Sequence, residues 1–124
     1  MTNEIEKEFK ELPDKIESKA IEIYKKQKDL VIDQDRLKEI ELDVTEEVVN
    51  AVYEDEDSKM KAKYSNETKR RVEIKKRLNE MEEYKDLLKK IDDQSDEIFF
   101  GKEEIGKMKR QFVVNEVLLR LTVK

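Results

Sequence analysis

The chain has 124 residues, a formal net charge of -5 and no His, Cys or Trp, and 48% of its residues are Asp, Glu, Lys or Arg. This composition excludes imidazole bases, thiolate nucleophiles and Cys/His metal sites, so we expect a protein that is not an enzyme and has no cofactor. With only two Gly and one Pro, it is typical of solvent-exposed helices joined by a thin apolar seam, and it predicts an all-α fold.

The first half of the chain has an apolar residue at every seventh position. The register begins at Phe9 and continues through Ile16, Ile23, Leu30, Leu37, Val44 and Ala51. This repeat predicts a heptad helix. The companion seam is predicted four residues further on, and it holds Ala20, Gln27, Gln34 and Val48.

Two features predict interruptions in this first half. Pro13 cannot donate a backbone hydrogen bond to the carbonyl of Phe9, so we predict a short N-terminal helix over residues 1–12 and a first arm over residues 14–53. Asp43 and Glu46 have the spacing of a helix-capping pair, which predicts a break in the helix shortly before them.

Residues 54–65 lack a heptad and contain turn-forming residues, so we predict that they form the tip of a helical hairpin. The tip opens with four consecutive carboxylates, Glu54 to Asp57. Such a run can attract a divalent ion, but it lacks the glycine and the alternate spacing of an EF-hand loop. A solvated turn is therefore the favoured interpretation, no metal site is predicted, and phosphate mimicry stays an alternative.

The second half predicts one long arm over residues 66–121, with Ser65 or Asn66 as its N-cap. Its heptad stripe contains Tyr84, Ile91, Ile98, Ile105, Phe112 and Leu119. Its companion seam holds Met81, Leu88 and Ser95 and then drifts to Met108 after Gly101 and Gly106, which predicts a bend there. Together the arms predict one domain, residues 1–124, built as an elongated antiparallel helical hairpin or coiled coil in which Val44 lies near Ile74 and Gln34 faces Tyr84.

Charge is segregated along the sequence. Residues 1–58 have a net charge of -10 and residues 59–124 have a net charge of +5. The basic stretch 59–77 predicts contacts to nucleic-acid phosphates, with one aromatic side chain available to stack on a base. The predicted nucleic-acid-binding residues are Lys63, Tyr64, Lys69, Arg70, Arg71, Lys75 and Arg77. The alternative is that the basic arm pairs with the acidic arm across the hairpin.

The C-terminal segment is apolar on more than one face, and two helices cannot cover all of it. We therefore predict a subunit interface that includes Phe112, Leu118 and Leu119, most simply in a homodimer. The alternative is that the N-terminal segment, with Ile5 and Phe9, packs on these residues.

One segment resembles a known class of proteins. Its residues are Lys63-Tyr64-Ser65-Asn66-Glu67, then Lys69-Arg70-Arg71, Glu73, Lys76-Arg77-Leu78 and Glu83-Tyr84-Lys85-Asp86-Leu87. This pattern resembles small coiled-coil accessory proteins from the recombination and replication modules of phages and integrative elements of low-GC Gram-positive bacteria. The resemblance covers the second half of the chain and implies a mobile-element accessory protein. It is similar in shape and context to the Gam-type host-nuclease inhibitors, with no site residue carried over.

These observations predict a non-enzymatic accessory protein in DNA recombination or replication that binds nucleic acid or a DNA-processing protein. The alternatives are a protein-binding inhibitor of a host nuclease or defence complex, and a structural coiled-coil scaffold. No stretch reaches the roughly 20 apolar residues of a membrane span, and the acidic N-terminus has no apolar signal-peptide core. We expect no membrane partner and a location in the cytoplasm of the bacterial host.

Overall fold

A computed structural model describes residues 2–54 and 60–123. In chain order it contains α1 (Thr2–Asn50), β1 (Val52–Glu54), β2 (Met60–Ala62), α2 (Glu67–Glu80) and α3 (Glu82–Val123). The protein is therefore all-α, apart from one short antiparallel strand pair in which Tyr53 lies opposite Lys61. None of the helices in these ranges has an apolar stretch of the length that a bilayer crossing requires.

Helix α1 continues through Pro13, so the predicted separate helix over residues 1–12 is wrong. The proline removes one backbone hydrogen bond, but the helical turn that precedes it is held by packing of its own. Leu12 is buried, and the ring of Phe9 stacks on that of Phe112 with 4.5 Å between the centroids. The predicted break before Asp43 is also absent, and the hydroxyl of Thr45 donates to the carbonyl of Glu41 as in a regular helix turn.

The predicted tip begins with a strand pair. Helix α1 ends at Asn50, three residues before the predicted end of the first arm, and the chain enters β1. The amide of Lys63 donates to the carbonyl of Ala51 at 2.8 Å, which extends the ladder beyond β2. Val52 and Tyr53 are β-branched and aromatic residues that favour extended backbone, which explains the strand at this place. Residues 55–59, which carry most of the acidic run, lie outside the described residues.

The predicted N-cap of the second arm is confirmed, because the side chain of Asn66 accepts a hydrogen bond of 2.8 Å from the amide of Lys69. The arm itself is not one helix. It is interrupted at Met81, which has an extended backbone (φ -87°, ψ 114°) and whose amide donates to the carbonyl of Leu78. No Gly or Pro marks this break. A sequence signal for it is the acidic pair Glu82 and Glu83, which opens α3 and suits a helix N-terminus.

The chain divides into two compact units. Unit 1 comprises Met1–Leu30 and Asp93–Lys124, and unit 2 comprises Val31–Asp92. The expectation of one domain stays a prediction.

In unit 1, a segment of α1 packs antiparallel to a segment of α3. The antiparallel direction follows from three contacts within the unit, which are Phe9 with Phe112, Lys19 with Glu104 and Lys26 with Glu97. Gly101 is buried against the side chain of Ile23, and a methyl group added there would lie 3.0 Å from Cγ1 of Ile23 and overlap its Cδ1. The absence of a side chain at this position is what lets Ile23 enter the seam, so this glycine serves close packing within a continuous helix.

In unit 2, an aliphatic cluster forms between α1 and α2. It consists of Ile40, Val44, Val48 and Leu78, with Tyr64, Ile74, Met81, Tyr84 and Leu87 packed against it. The expected proximity of Val44 and Ile74 is confirmed by this cluster. The expected pairing of Gln34 with Tyr84 is wrong, because the hydroxyl of Tyr84 donates to Glu41 at 3.2 Å.

From Leu12 to Ile40 the companion seam of α1 follows each stripe residue after three positions, so the predicted seam after four positions is wrong at Ala20 and Gln34. It is right at Val48, which is fully buried, and Gln27 is half-buried. The residues in the true seam are Leu12, Lys19, Lys26, Asp33 and Ile40, all of them buried or half-buried, whereas Ala20 and Gln34 are exposed. The same shift applies to α3, where Leu88 and Ser95 are exposed and Leu87, Gln94 and Gly101 lie inward. The charged residues were not expected there, but their alkyl stems cover the seam while their charged ends pair across it.

Candidate nucleic-acid interface

The candidate interface is the solvent-facing side of α2. The other side of this helix is occupied, because Leu78 is buried and Ile74 packs against the aliphatic cluster of unit 2. Three lysines are exposed on the solvent-facing side, and they are Lys69, Lys75 and Lys76. Val72, with 64% of its surface exposed, lies among them. We call these four residues the lysine face.

The lysines of this face lack direct ion pairs in the described chain, although the charge of Lys76 acts on the neighbouring Glu73. Within residues 2–54 and 60–123, none of the three forms an ion pair, and the half-buried Arg70 forms none either. Lys69 and Lys76 are one heptad apart, which places them on the same side of the helix about 10 Å from each other. Cations in this arrangement present donors to an anion from outside.

Two arginines predicted to bind phosphate are paired internally. Arg77 donates to Glu73 at 2.9 Å and lies 3.6 Å from Glu47 of α1, and its side chain is only 31% exposed. Arg71 pairs with Glu67 one turn earlier, although both side chains remain exposed. The structure therefore assigns Arg77 to the packing of α2 on α1 and leaves Arg71 at the surface with a partner.

Tyr64, the predicted stacking residue, is half-buried and makes contacts within the protein. Its ring packs against the aliphatic cluster, and the guanidinium of Arg77 and the ammonium of Lys63 lie 5.9 Å and 5.7 Å from the ring centroid. The hydrogen bond from Arg77 holds the pKa of Glu73 below its usual value, partial burial opposes this, and the hydroxyl of Tyr64 adds a smaller lowering. These contacts hold α2 in place. The contacts described for Tyr64 and Lys63 therefore stabilise the fold.

The prediction from sequence therefore placed the candidate site on α2 and combined two kinds of residue, those that lie free at the surface and those that are engaged within the protein. Lys69, Arg70 and Lys75 were predicted and lie without an ion pair in the described chain, whereas Lys76 and Val72 were missed. The signal for Lys76 was available in the sequence, because it stands one heptad after Lys69. The alternative prediction was that the basic arm pairs with the acidic arm. On α2, the ion pair between Arg77 and Glu47 of α1 is a contact of this kind.

The three residues of the predicted subunit interface do not lie on one surface. Phe112 stacks on Phe9 within unit 1, which is the packing expected if the N-terminal segment covers it, and Leu119 is half-buried. Leu118 is exposed and adjoins Val114, Val117 and Leu121, which are exposed as well. The apolar surface left open on α3 therefore lies on a different side of the helix from Phe112.

Residues 2–54 and 60–123 contain no group of three or more acidic side chains placed to hold a metal ion. The side chains of the acidic run at 54–57 lie outside the described residues, so the preference for a solvated turn over a metal site there stays a prediction. Comparison with protein-family models, with curated proteins and with solved structures finds no match to this chain.

Proposed function

We propose that the protein is a non-enzymatic accessory protein that binds nucleic acid through the lysine face of α2. The observation that carries the proposal is the set of exposed cations, Lys69, Lys75 and Lys76, which form no ion pair in the described chain. Displacement of counterions from phosphates by such cations supplies sequence-independent affinity. Arg70 lies at the border of this face and contributes a further positive charge.

The face has features of a backbone-binding surface rather than a base-reading one. Its lysines act as flexible point charges and not as planar bidentate donors, and the nearby aromatic ring of Tyr64 is engaged in packing. We therefore expect binding that depends little on sequence. The role in phage recombination or replication, and the location in a bacterial cytoplasm, rest on the sequence resemblance and form part of the proposal.

The finer architecture belongs to the same proposal. In each unit, the spacing between successive inward-facing residues alternates between three and four positions. This spacing supports an antiparallel coiled-coil hairpin within one chain. The apolar surface left open on α3 supports assembly into a homo-oligomer. Oligomerisation would present more than one lysine face to a single nucleic acid and thereby raise the overall affinity.

A salt-dependent binding assay tests the proposal. We expect the wild-type chain to bind DNA at low salt, with an affinity that falls as salt rises. Changing Lys69, Lys75 and Lys76 to Gln together should weaken binding and reduce the slope of log K against log salt by about 0.7–0.9 for each phosphate that the variant no longer neutralises.

The matched control is the triple variant Lys7→Gln, Lys25→Gln and Lys38→Gln. These α1 lysines are also exposed and form no ion pair in the described chain, so the control removes the same charge from another surface. Circular dichroism should show unchanged helix content in both variants. Equal loss of binding in the two variants, or no binding of the wild type at low salt, would contradict a site on α2. Absence of binding would leave a protein partner as the function to pursue by affinity capture.

A further inference from the structure

The outward side of α3 in unit 1 has two exposed apolar pairs. Phe99 and Phe100 are 60% and 66% exposed, and Val113 and Val114 are 56% and 49% exposed. Two heptads separate the pairs, so both lie on the same side of the helix. The seam with α1 uses other residues of α3, such as Ile98, Gly101 and Phe112. The outward pairs therefore take no part in the described seam between α1 and α3 of unit 1.

Two opposite charges lie between the apolar pairs. Glu103 and Arg110 are exposed, stand one heptad apart on this side, and form no ion pair in the described chain. The separation of about 10 Å along the helix prevents a direct contact between them. Each is thus an unneutralised charge on a surface with exposed aromatic and aliphatic neighbours.

The order of these residues is symmetric about one point. Moving outward from the peptide between Gly106 and Lys107, one meets Glu103 on one side and Arg110 at the same distance on the other. Further out, Phe100 and Phe99 on one side match Val113 and Val114 on the other. A two-fold axis through this point would place each glutamate opposite an arginine and each phenylalanine opposite a valine of a second, antiparallel helix.

We propose that this surface, residues 99–114 of α3, binds the same surface of a second copy of the chain in an antiparallel, two-fold symmetric contact. Glu103 of each copy then pairs with Arg110 of the other, and the two ion pairs are flanked on both sides by phenylalanine–valine contacts. This proposal rests on the proposed homo-oligomer and places its interface on residues 99–114 in place of the predicted Phe112, Leu118 and Leu119.

Charge complementarity selects a second copy as the occupant. A symmetric contact must be self-complementary, and two copies of the sequence satisfy this by the placement of Glu103 and Arg110. Gly106 lies at the crossing point, where a side chain would meet only the guanidinium of Arg110 at 3.3 Å within its own chain. The missing side chain allows the two helices to approach closely at the centre of the contact.

The expected strength of the contact is modest. Residues 99–114 span about 22 Å of helix. The contact does not extend further, because the next residue on this side, Asp96, would face the apolar Val117 of the second copy. A contact of this length belongs to the small end of specific interfaces, so we expect a dimerisation constant in the micromolar range. Measurements therefore have to extend from low micromolar to hundreds of micromolar chain.

Charge reversal and its rescue provide the test, with the dimerisation constant measured by sedimentation equilibrium. Glu103→Arg and Arg110→Glu each create two like-charge contacts across the axis, and each should weaken dimerisation by about tenfold or more. The double variant restores opposite charges in exchanged positions and should dimerise nearly as well as the wild type. An equimolar mixture of the two single variants should form a heterodimer about as strong as the wild-type dimer, because both contacts in such a pair join an arginine of one chain to a glutamate of the other.

Two single-cysteine variants serve as the control for the register of the contact. The chain has no Cys, so Lys107→Cys introduces a unique thiol next to the proposed axis, and Lys109→Cys introduces one on another side of the same helix. We expect a short bismaleimide to crosslink the first variant into dimers and to crosslink the second much less. A wild type that stays monomeric at hundreds of micromolar overturns both the oligomer and this surface. Dimerisation that ignores the charge reversals, or equal crosslinking at 107 and 109, overturns this surface alone.

Discussion

The two units bury their apolar residues in different ways. Unit 2 adds the side chains of α2 and of Tyr64 to those of α1 and forms one aliphatic cluster, with Val48 fully buried. Unit 1 has a segment of α1 and a segment of α3 only. Its contacts are the stacked rings of Phe9 and Phe112, the entry of Ile23 over Gly101, and ion pairs between the helices.

The difference teaches what a thin helical seam requires. Two helices alone leave the borders of their contact open to water, so the lysine stems at 19 and 26 cover apolar surface while their ammonium groups pair with Glu104 and Glu97. A third helix covers such a border with apolar residues instead. We therefore expect unit 2 to depend on apolar volume and unit 1 to depend on fit at single positions.

The largest expected effect is the loss of volume in unit 2. Leu78→Ala removes a buried side chain from the aliphatic cluster and should lower the free energy of unfolding by about 2–5 kcal/mol. The matched control is Leu42→Ala in the same unit, where the side chain is 58% exposed and little should change. Urea unfolding measures the loss, and amide hydrogen exchange should show it first in residues 31–92. Equal effects of the two variants would contradict the assignment of the core.

The next effect concerns fit in unit 1. Gly101→Ala should destabilise by about 1–3 kcal/mol, because the new methyl group overlaps the buried Ile23, and this overpacking outweighs the better helix propensity of alanine. The control Gly106→Ala meets only the end of Arg110 and should stabilise by about 0.5–1 kcal/mol at concentrations where the chain is monomeric.

Ile23→Val provides the rescue for this pair, since it removes the Cδ1 atom that the alanine methyl overlaps. The double variant Ile23→Val/Gly101→Ala should be more stable than Gly101→Ala alone, as measured by thermal unfolding. Similar behaviour of the two glycine variants would show that unit 1 tolerates volume at its seam, and the contrast between the units would then fail.

The sequence predicted the helices and their main apolar stripes because a seven-residue repeat is a property of the chain alone. It could not show which neighbouring position completes each stripe. Lys19 and Lys26 look like surface residues until Glu104 and Glu97 are brought opposite them. The break at Met81 and the passage of α1 through Pro13 likewise depend on tertiary packing that no local preference expresses.

The same reason limited the prediction of the candidate site. The basic composition of α2 was evident, but only the fold shows that Arg77 and Tyr64 face inward. Since helical position decides exposure, a count of cations overestimates the cations available for binding. The two-fold pattern on α3 was present in the sequence. It suggests an interface only because the structure exposes these residues on the side away from α1.

The smallest expected effect is the dependence of stability on acid. Hydrogen bonding from Lys26, together with the charge of Lys19, lowers the pKa of Glu22, and the guanidinium of Arg77 lowers that of Glu73. A lowered pKa in the folded state means that the stabilisation is present above the unfolded value and is lost as pH falls through the folded value. We expect the melting temperature to fall slightly below about pH 4.

The acid effect stays small because these carboxylates are at the surface and salt screens them. Glu22→Gln should flatten the acid limb of the melting curve measured by circular dichroism, and Glu8→Gln, a change at an acid for which no ion pair is found in the described chain, should leave it unchanged. The raised pKa values of Lys19 and Lys26, due first to their hydrogen bonds with Glu104 and Glu97, act only at the alkaline end.

The contact between Ile23 and Gly101 also determines the register between the two helices of unit 1. Lys19 and Lys26 are one heptad apart, as are Glu97 and Glu104, so a slip of one heptad between the helices of unit 1 would still leave one lysine opposite a glutamate. The same slip would bring Ile23 against Gln94 or Met108, where no gap receives it. The periodic charges therefore tolerate several alignments, and the single glycine, which does not repeat, distinguishes the native one.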